Sequence, residues 1–186
     1  MRSIYFFRNA WEQRKLEEIS DFSKGSGYSK ADIQKHGTSL ILYGRLYTKY
    51  ELVISEVDTF AEARPGSVFS RGGEVIVPAS GETAEDISIA SVVEKPGILL
   101  GGDLNIVSPR SKLDATFLAL TISHGKAHEE MAKRAQGKSV VHLHNDDLQT
   151  IFISLPGLKE QRAISCFFRR FDHLITLHQR ERGDKG

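Results

Sequence analysis

The chain has 186 residues, 40% of them hydrophobic, which suits one domain with an appended element and allows a sizeable core. The formal net charge is +1, so overall charge does not indicate nucleic-acid binding, and any such surface must be local. No apolar run approaches a membrane span, and the apolar core within Arg2–Phe7 is too short for a signal peptide. Cys166 is the only cysteine, so we expect a soluble cytoplasmic protein without an intramolecular disulfide.

The N-terminal half is predicted to form a β-rich body. Residues 1–10 are interpreted as a leader or linker remnant, 11–19 as a short amphipathic segment, and 20–31, rich in Gly, Ser and Lys, as a surface loop. From 38 to 107, short apolar runs broken by Gly, Pro and Ser favour many short strands over a βαβ array. The predicted strands cover 39–43, 52–57, 74–77, 87–93, 97–100 and 104–107.

The C-terminal half is predicted to be more helical. The predicted segments are helices over 114–123, 126–135 and 158–182 and strands over 139–143 and 150–155. Asp114 can cap the first of these helices. The predicted fold class is therefore α+β, with a compact β-rich domain followed by a long C-terminal coiled-coil helix.

The long tail helix carries an apolar stripe. The seam residues are separated by four, three, four and three positions, the spacing of a coiled coil: Ile164, Phe168, Phe171, Ile175 and His178. Phe167 and Leu174 widen the stripe, so one partner helix would not cover it. The residues expected to form a partner interface are Leu158, Ile164, Phe167, Phe168, Phe171, Leu174 and Ile175.

Three segments, in this order, resemble parts of a known family. They are Trp11-Glu12-Gln13-Arg14-Lys15-Leu16 with Ile19, then Gly137-Lys138-Ser139-Val140-Val141-His142-Leu143, and then Leu155, Pro156, Leu158, Glu160 and Gln161 with Ile164, Phe167, Phe171, Asp172, Leu174, Ile175, Leu177 and Arg180. Over residues 11–182 the chain resembles the specificity subunits of type I restriction-modification enzymes. Because no internal repeat is present, it resembles half of a subunit that carries two recognition domains and two spacer helices.

The resemblance implies a division of the chain and a role. Residues 11–155 would be a target recognition domain that reads one DNA half-site, 156–182 a helical spacer and dimerisation arm, and 183–186 a tail. The implied partners are double-stranded DNA, methyltransferase subunits and, through them, the restriction subunit, with a second copy or a different second half. Catalysis would belong to the partner subunits, so no catalytic residue, cofactor or metal is expected. A two-fold dimer would read a gapped palindrome.

Aromatic and cationic residues are interleaved over 43–50. Arginine can bind guanine through two hydrogen bonds, and tyrosine can bond phosphate. With the resemblance we favour DNA contact for Arg45 and Tyr47, whereas the residues alone also fit a tyrosine-rich strand with a solvated face. The predicted DNA-contacting residues are Tyr28, Lys30, Tyr43, Arg45, Tyr47, Lys49, Ser80, Gly81, Glu82, Arg134, Lys138 and Ser139.

Two of these groups have plain structural alternatives. The amides of Ser80 and Gly81 could approach a backbone closely and Glu82 could accept from a cytosine amino group, but the stretch also fits an ordinary turn with a helix cap. Lys138 and Ser139 suit phosphate contacts, or else a solvated helix end where lysine favours the negative pole of the helix dipole.

Other classes of function remain open at this point. His142 and His144 share one strand face and could begin a metal site, so a small metal-dependent hydrolase is one alternative. A decoy or truncated remnant that binds methyltransferase subunits without reading DNA is another. Gly101-Gly102-Asp103 is too bare for a dinucleotide-binding fingerprint and is interpreted as a bend between strands.

Overall fold

The computed structural model describes residues 11–84, 86–135 and 140–183, with side chains as far as Leu174 except that of His173. The predicted leader at 1–10 therefore lies outside the described residues, as does most of the predicted tail. The N-terminal elements are β1 (Glu12–Lys15), α1 (Leu16–Ile19), β2 (Ser20–Lys24), a 3-10 turn (Lys30–Asp32), β3 (Thr38–Ile41), α2 (Arg45–Thr48), β4 (Val53–Ile54), β5 (Phe60–Ala61), β6 (Glu74–Pro78), β7 (Ser80–Gly81), β8 (Ser91–Val93), β9 (Leu99–Leu100) and β10 (Leu104–Pro109). The C-terminal elements are α3 (Ala115–Ser123), α4 (Gly125–Arg134), β11 (Val141–His142), α5 (Asn145–Gln149), β12 (Phe152–Leu155) and α6 (Leu158–Gly183).

A five-stranded sheet forms the centre of the domain, with strand order β2-β10-β6-β8-β4. Its neighbours are antiparallel except for β4 and β8, which run parallel. A smaller sheet has the order β5-β3-β9, and β1 pairs with β12 and β7 with β11. The β1–β12 pair brings the two ends of the domain together directly before α6 begins.

The central strand β6 separates two hydrophobic cores. Its residues alternate between them: Val75 and Val77 pack with α1, α3, α4 and α5, while Ile76 packs with residues of β3, β9 and α2. All five residues of β6 are buried. Burying each such aliphatic side chain contributes about 1.5–3 kcal/mol, so this alternation fixes the register of the sheet.

Several predicted elements are confirmed. β6, β10, α3 and α4 lie close to their predicted ranges, α6 begins at Leu158 as predicted, and Asp114 Oδ1 accepts from the amide of Phe117 at 2.9 Å as the cap of α3. The fold is a mixed arrangement of sheets and helices. The pairing of α6 in a coiled coil stays a prediction.

The predicted strand over 87–93 begins only at β8. The residues before it close into a turn, in which the Ile87 amide donates to the Thr83 carbonyl and Ser88 Oγ donates to the Ala84 carbonyl. Ile87 is fully buried all the same. A buried apolar residue in a turn has the same local pattern as a strand residue, which explains the wrong boundary.

The segment 43–50, for which a tyrosine-rich strand is one interpretation of the sequence, is instead built around the single helical turn α2. The Lys49 amide closes this turn by donating to the Arg45 carbonyl at 2.8 Å. Leu46 is buried in the second core and holds the turn in place. Packing of one leucine thus overrides the strand preference of the neighbouring tyrosines.

None of the described helices is both long enough and apolar enough to cross a membrane.

Candidate nucleic-acid interface

A cleft of about 700 Å³ opens between the 3-10 turn, the end of β3, α2 and the turn that joins β9 to β10. Five of the residues predicted from the sequence line this cleft: Tyr28, Lys30, Tyr43, Arg45 and Lys49. They come from segments that are far apart in the sequence, so the fold brings them together. We call this feature the cleft.

The Arg45 side chain is buried in the wall of the cleft, where it contacts acidic residues of the same chain. Its guanidinium contacts Glu51 at 2.6 Å and Asp58 at 2.8 Å, and it donates to the Glu56 carbonyl at 2.8 Å. The Arg45 side chain is only 8% exposed and that of Glu51 only 12%. DNA contact by Arg45 stays a prediction, and both terminal nitrogens of its guanidinium already have partners within the chain.

Lys49 also forms an ion pair with Asp58. Its ammonium lies 2.9 Å from Asp58, and the lysine is half exposed. The hydrogen bond from Lys49 is the largest cause that lowers the pKa of Asp58, to about 2; burial opposes it, and the hydrogen bond from Arg45 adds to the lowering. Asp58 is therefore ionised at neutral pH, and it neutralises part of the positive charge of the cleft.

The wall opposite α2 contains Tyr28 and Lys30. Tyr28 is buried, its hydroxyl donates to the Glu62 carbonyl at 3.1 Å, and the Arg64 guanidinium lies over its ring. Lys30 begins the 3-10 turn that Ser29 caps, and it is exposed without an ion pair to any described residue. Lys30 is thus an exposed cation that lines the cleft, whereas Tyr28 is a buried part of the cleft wall.

A second patch lies where β7 pairs with β11, and we call it the β7–β11 patch. Ser80 is opposite His142, with Ser80 Oγ and His142 Nδ1 at 3.2 Å. The Tyr47 hydroxyl donates to the Ser80 carbonyl at 2.6 Å. Gly81 completes the strand and Glu82 follows it, exposed.

Tyr43 and Tyr47 connect the cleft with the β7–β11 patch. Their rings meet edge to face with centroids 5.9 Å apart, Tyr43 lining the cleft and Tyr47 bonding Ser80. Burial, together with the nearby carboxylates of Asp86 and Asp103, raises the pKa of Tyr47 far above its usual value. Tyr47 is therefore a neutral hydrogen-bond donor. The contact between the two tyrosine rings makes the cleft and the β7–β11 patch neighbours.

Three predicted residues are not placed on that surface. Arg134 is bound within α4, where it contacts Glu130 at 2.8 Å and lowers the pKa of that carboxyl, with Lys133 as the next largest cause. Lys138 and Ser139 lie outside the described residues.

The surface also includes residues that were not predicted as DNA contacts, among them His142 and Asp103. His142, which the sequence analysis names as a candidate metal ligand and not as a DNA contact, pairs with Ser80 across β7 and β11. Among the described residues no group of three His, Cys, Asp or Glu side chains is arranged to hold a metal, so the hydrolase alternative gains no support there. Asp103 lines the cleft from the turn before β10. In the sequence, the only feature that points to Asp103 is its place after Gly101 and Gly102 in a bend between strands.

The helix α6 docks on the domain through polar side chains. Gln161 is buried, where its amide nitrogen donates to the Pro156 and Lys112 carbonyls and its oxygen accepts from the Asp114 amide at 2.9 Å. One turn later Ser165 Oγ donates to Asp114 at 2.5 Å. Further along, Arg169 pairs with Glu94 and Asp172 accepts from the Leu52 amide. Because these positions are three or four residues apart, they share one face of α6.

The predicted apolar stripe lies on another face of α6 and is largely exposed. Phe167, Phe168, Phe171 and Leu174 are 57%, 44%, 50% and 60% exposed. The ring of Phe167 contacts those of Phe168 and Phe171, with centroids 5.4 Å and 4.8 Å apart. Leu158 is half buried, and Ile164 packs at the edge of the first core. The side chain of Ile175 lies outside the described set. We call the surface formed by the three exposed phenylalanines and Leu174 the aromatic face.

Comparison with known proteins assigns the chain to a family. Residues 9–183 match the model of the type I restriction modification DNA specificity domain. The type I restriction enzyme MjaVIII specificity subunit of Methanocaldococcus jannaschii is 23% identical over 180 residues, which are 92% of this chain and 42% of the relative. The chain thus spans less than half the length of that curated relative.

Solved structures show the same fold. A chain from a structure of a type I R-M system, described in terms of complex assembly and conformational transition, matches with a TM-score of 0.66 at 18% identity, over 100% of this chain and 44% of the other. The HsdS subunit from Thermoanaerobacter tengcongensis matches with a TM-score of 0.61 at 18% identity, over 97% and 42%. The S subunit from M. genitalium matches with a TM-score of 0.62 at 16% identity, over 91% and 41%.

The fold is therefore that of one half of a specificity subunit, a class of DNA-recognition components. The chain belongs to the family of type I restriction modification DNA specificity domains, which confirms the resemblance found in the sequence. Membership of this family also supports a specificity component rather than a catalytic one.

Proposed function

We propose that this chain reads one half-site of double-stranded DNA through the cleft and the β7–β11 patch. The observation that carries the proposal is the convergence of predicted contact residues on one surface, joined by Tyr43 and Tyr47. Domains of the same family serve DNA sequence recognition, which favours this surface over a purely structural cluster.

Two kinds of contact are expected on this surface. Lys30 and Lys49 are exposed cations at the cleft and would bind phosphates, which position the protein without reading sequence. Glu82, exposed at the end of the β7–β11 patch, would meet base edges. Arg45 would act through Asp58, by holding the acceptor that orients Lys49.

The arm would join this half to a second one. Because α6 docks on its own domain through polar residues, its aromatic face is left for a partner. A helix of 26 residues is about 39 Å long at 1.5 Å per residue, which suits a spacer. We propose antiparallel pairing with the α6 of a second copy or of a different half, together with docking of methyltransferase subunits and, through them, the restriction subunit. Self-pairing would give a gapped palindromic target.

The decoy alternative has one observation in its favour. Arg45 and Lys49 are paired with Glu51 and Asp58, so much of the cationic charge of the cleft is neutralised within the chain. A chain that binds methyltransferase subunits without reading DNA would keep its aromatic face and lack DNA affinity.

A paired substitution separates the two. In Lys30→Ala/Lys49→Ala we expect weaker DNA binding, and a slope of log K against log salt that is smaller by about 1.8, since each lost phosphate contact changes it by roughly 0.9. The control is Lys112→Ala/Lys126→Ala, which removes two exposed lysines outside the cleft. Equal salt slopes for the two variants, or no DNA affinity in the wild type with normal binding to methyltransferase subunits, would favour the decoy.

A further inference from the structure

Asp103 occupies the middle of the proposed surface. It lines the cleft, and its carboxylate is close enough to Tyr47 to raise that residue's pKa. Its carbonyl accepts from the amide of Ala79 at 2.9 Å, directly before Ser80 of the β7–β11 patch. Asp103 therefore lies between the two groups of predicted contact residues.

The turn that carries Asp103 is held closely by backbone packing. Gly101 forms a bridge with Ser26, and its amide donates to the Ile41 carbonyl at 2.9 Å. A Cβ on Gly25 would overlap the Gly101 carbonyl oxygen, and one on Gly102 would lie 3.2 Å from Gly27 Cα. Two glycine segments can approach this closely only without side chains. The backbone position of Asp103 is therefore set by the turn before any ligand binds, and a supported backbone favours base reading.

The Asp103 carboxylate differs from the other carboxylate of the cleft in having no partner. Asp58 is bound by Lys49 and Arg45. Asp103 is exposed, and no described side chain or amide donates a hydrogen bond to its carboxylate. A free carboxylate on a phosphate-binding surface repels DNA unless a donor on the DNA meets it. The donors that duplex DNA offers in the major groove are the amino groups of cytosine and adenine, and a carboxylate pairs best with that of cytosine.

We propose that Asp103 is a specificity-determining residue that accepts a hydrogen bond from the amino group of one cytosine in the half-site. The proposal rests on the proposed function, because it assigns one base contact within the same surface. It differs from the expected contact of Glu82, which lies beyond β7 and outside the cleft.

The test is selection from a random double-stranded DNA library with the full chain at low salt, followed by sequencing. The wild-type chain should enrich a motif with cytosine at a fixed position. Asp103→Ala should lose discrimination at that one position by about 5- to 150-fold and keep the rest of the motif. Asp103→Asn should shift the same position towards adenine, because an amide pairs with both the amino group and N7 of adenine.

A charge control separates reading from repulsion. Glu129→Gln removes one exposed negative charge on α4, outside the cleft, and should leave the motif unchanged. If both Asp103 variants bind all sequences more tightly and keep the wild-type motif, Asp103 only repels DNA and the inference is wrong while the proposed function stands. If the wild-type chain enriches no motif, the proposed function fails and the inference fails with it.

Discussion

Replacement of Arg45 should destabilise the chain more than it weakens DNA binding. The Arg45 and Glu51 side chains are 8% and 12% exposed, and Arg45→Ala would leave the Glu51 side chain without its partner. Breaking a buried pair in this way costs roughly 3–5 kcal/mol. Because Asp58 at the other end of Arg45 is 64% exposed, we expect the lower end, about 3 kcal/mol. For a chain of this size that lowers the unfolding midpoint by about 6–12 °C.

The assay is urea unfolding of the free chain, compared with binding to the selected DNA at a temperature where both proteins are folded. Arg45→Lys keeps the charge but not the paired hydrogen bonds, so it should lose part of the stability. The double variant Arg45→Met/Glu51→Leu removes both charges and should recover most of it. Its DNA affinity should then lie within a few-fold of the wild type.

One result would refute this reasoning about Arg45. If Arg45→Ala unfolds at the wild-type urea concentration but loses discrimination at a guanine of the target, Arg45 reads DNA directly. The contacts to Glu51 and Asp58 would then belong only to the free chain, and the expectation from the sequence would be right.

Three further outcomes follow from the arm and the cleft. Gln161→Ala should lower the free energy of unfolding in urea by about 1–3 kcal/mol, because it leaves buried backbone groups unpaired; an unchanged value would mean that α6 does not dock as described. Phe168→Asp/Phe171→Asp should abolish self-association or subunit docking in light scattering while the monomer keeps its stability, and normal assembly would refute the role of the aromatic face. Asp58 has a lowered pKa, so its contribution to stability is present above pH 3.8 and is lost as pH falls towards about 2. In Lys49→Ala the free energy of unfolding should fall less than in the wild type over the same drop in pH, because the largest cause of the lowered Asp58 pKa is gone. An equal fall in the two proteins would contradict the assignment of this pH dependence to the Asp58–Lys49 pair.

The elements with a strong local pattern were predictable from the sequence. The run Glu74–Pro78 is apolar at every central position, and Asp114 precedes a helix whose amide it caps. In such cases the local preference and the tertiary environment agree. Turn α2 was not predictable, because its position depends on the burial of Leu46 among residues distant in the sequence.

The candidate site was predicted as a set of residue types rather than as an arrangement. Aromatic and cationic residues over 43–50 indicated the cleft, but the acids that bind Arg45 follow 6 and 13 residues later, in chain that the fold turns back. Apart from the two glycines before it, nothing in the local sequence points to Asp103. Its proposed role depends on its position in the turn between β9 and β10, which belong to different sheets. The polar face of α6 was likewise not predicted, because the apolar spacing of the helix indicated docking through its apolar residues.

The most direct test of DNA reading is methylome sequencing of cells that express this chain with a methyltransferase subunit of the same system. We expect new adenine methylation at a gapped sequence, which is palindromic if two copies pair through α6 and asymmetric if a different half is recruited. Absence of any new methylated sequence, with the two proteins shown to be soluble and bound to each other, would contradict DNA reading and leave the decoy as the better account.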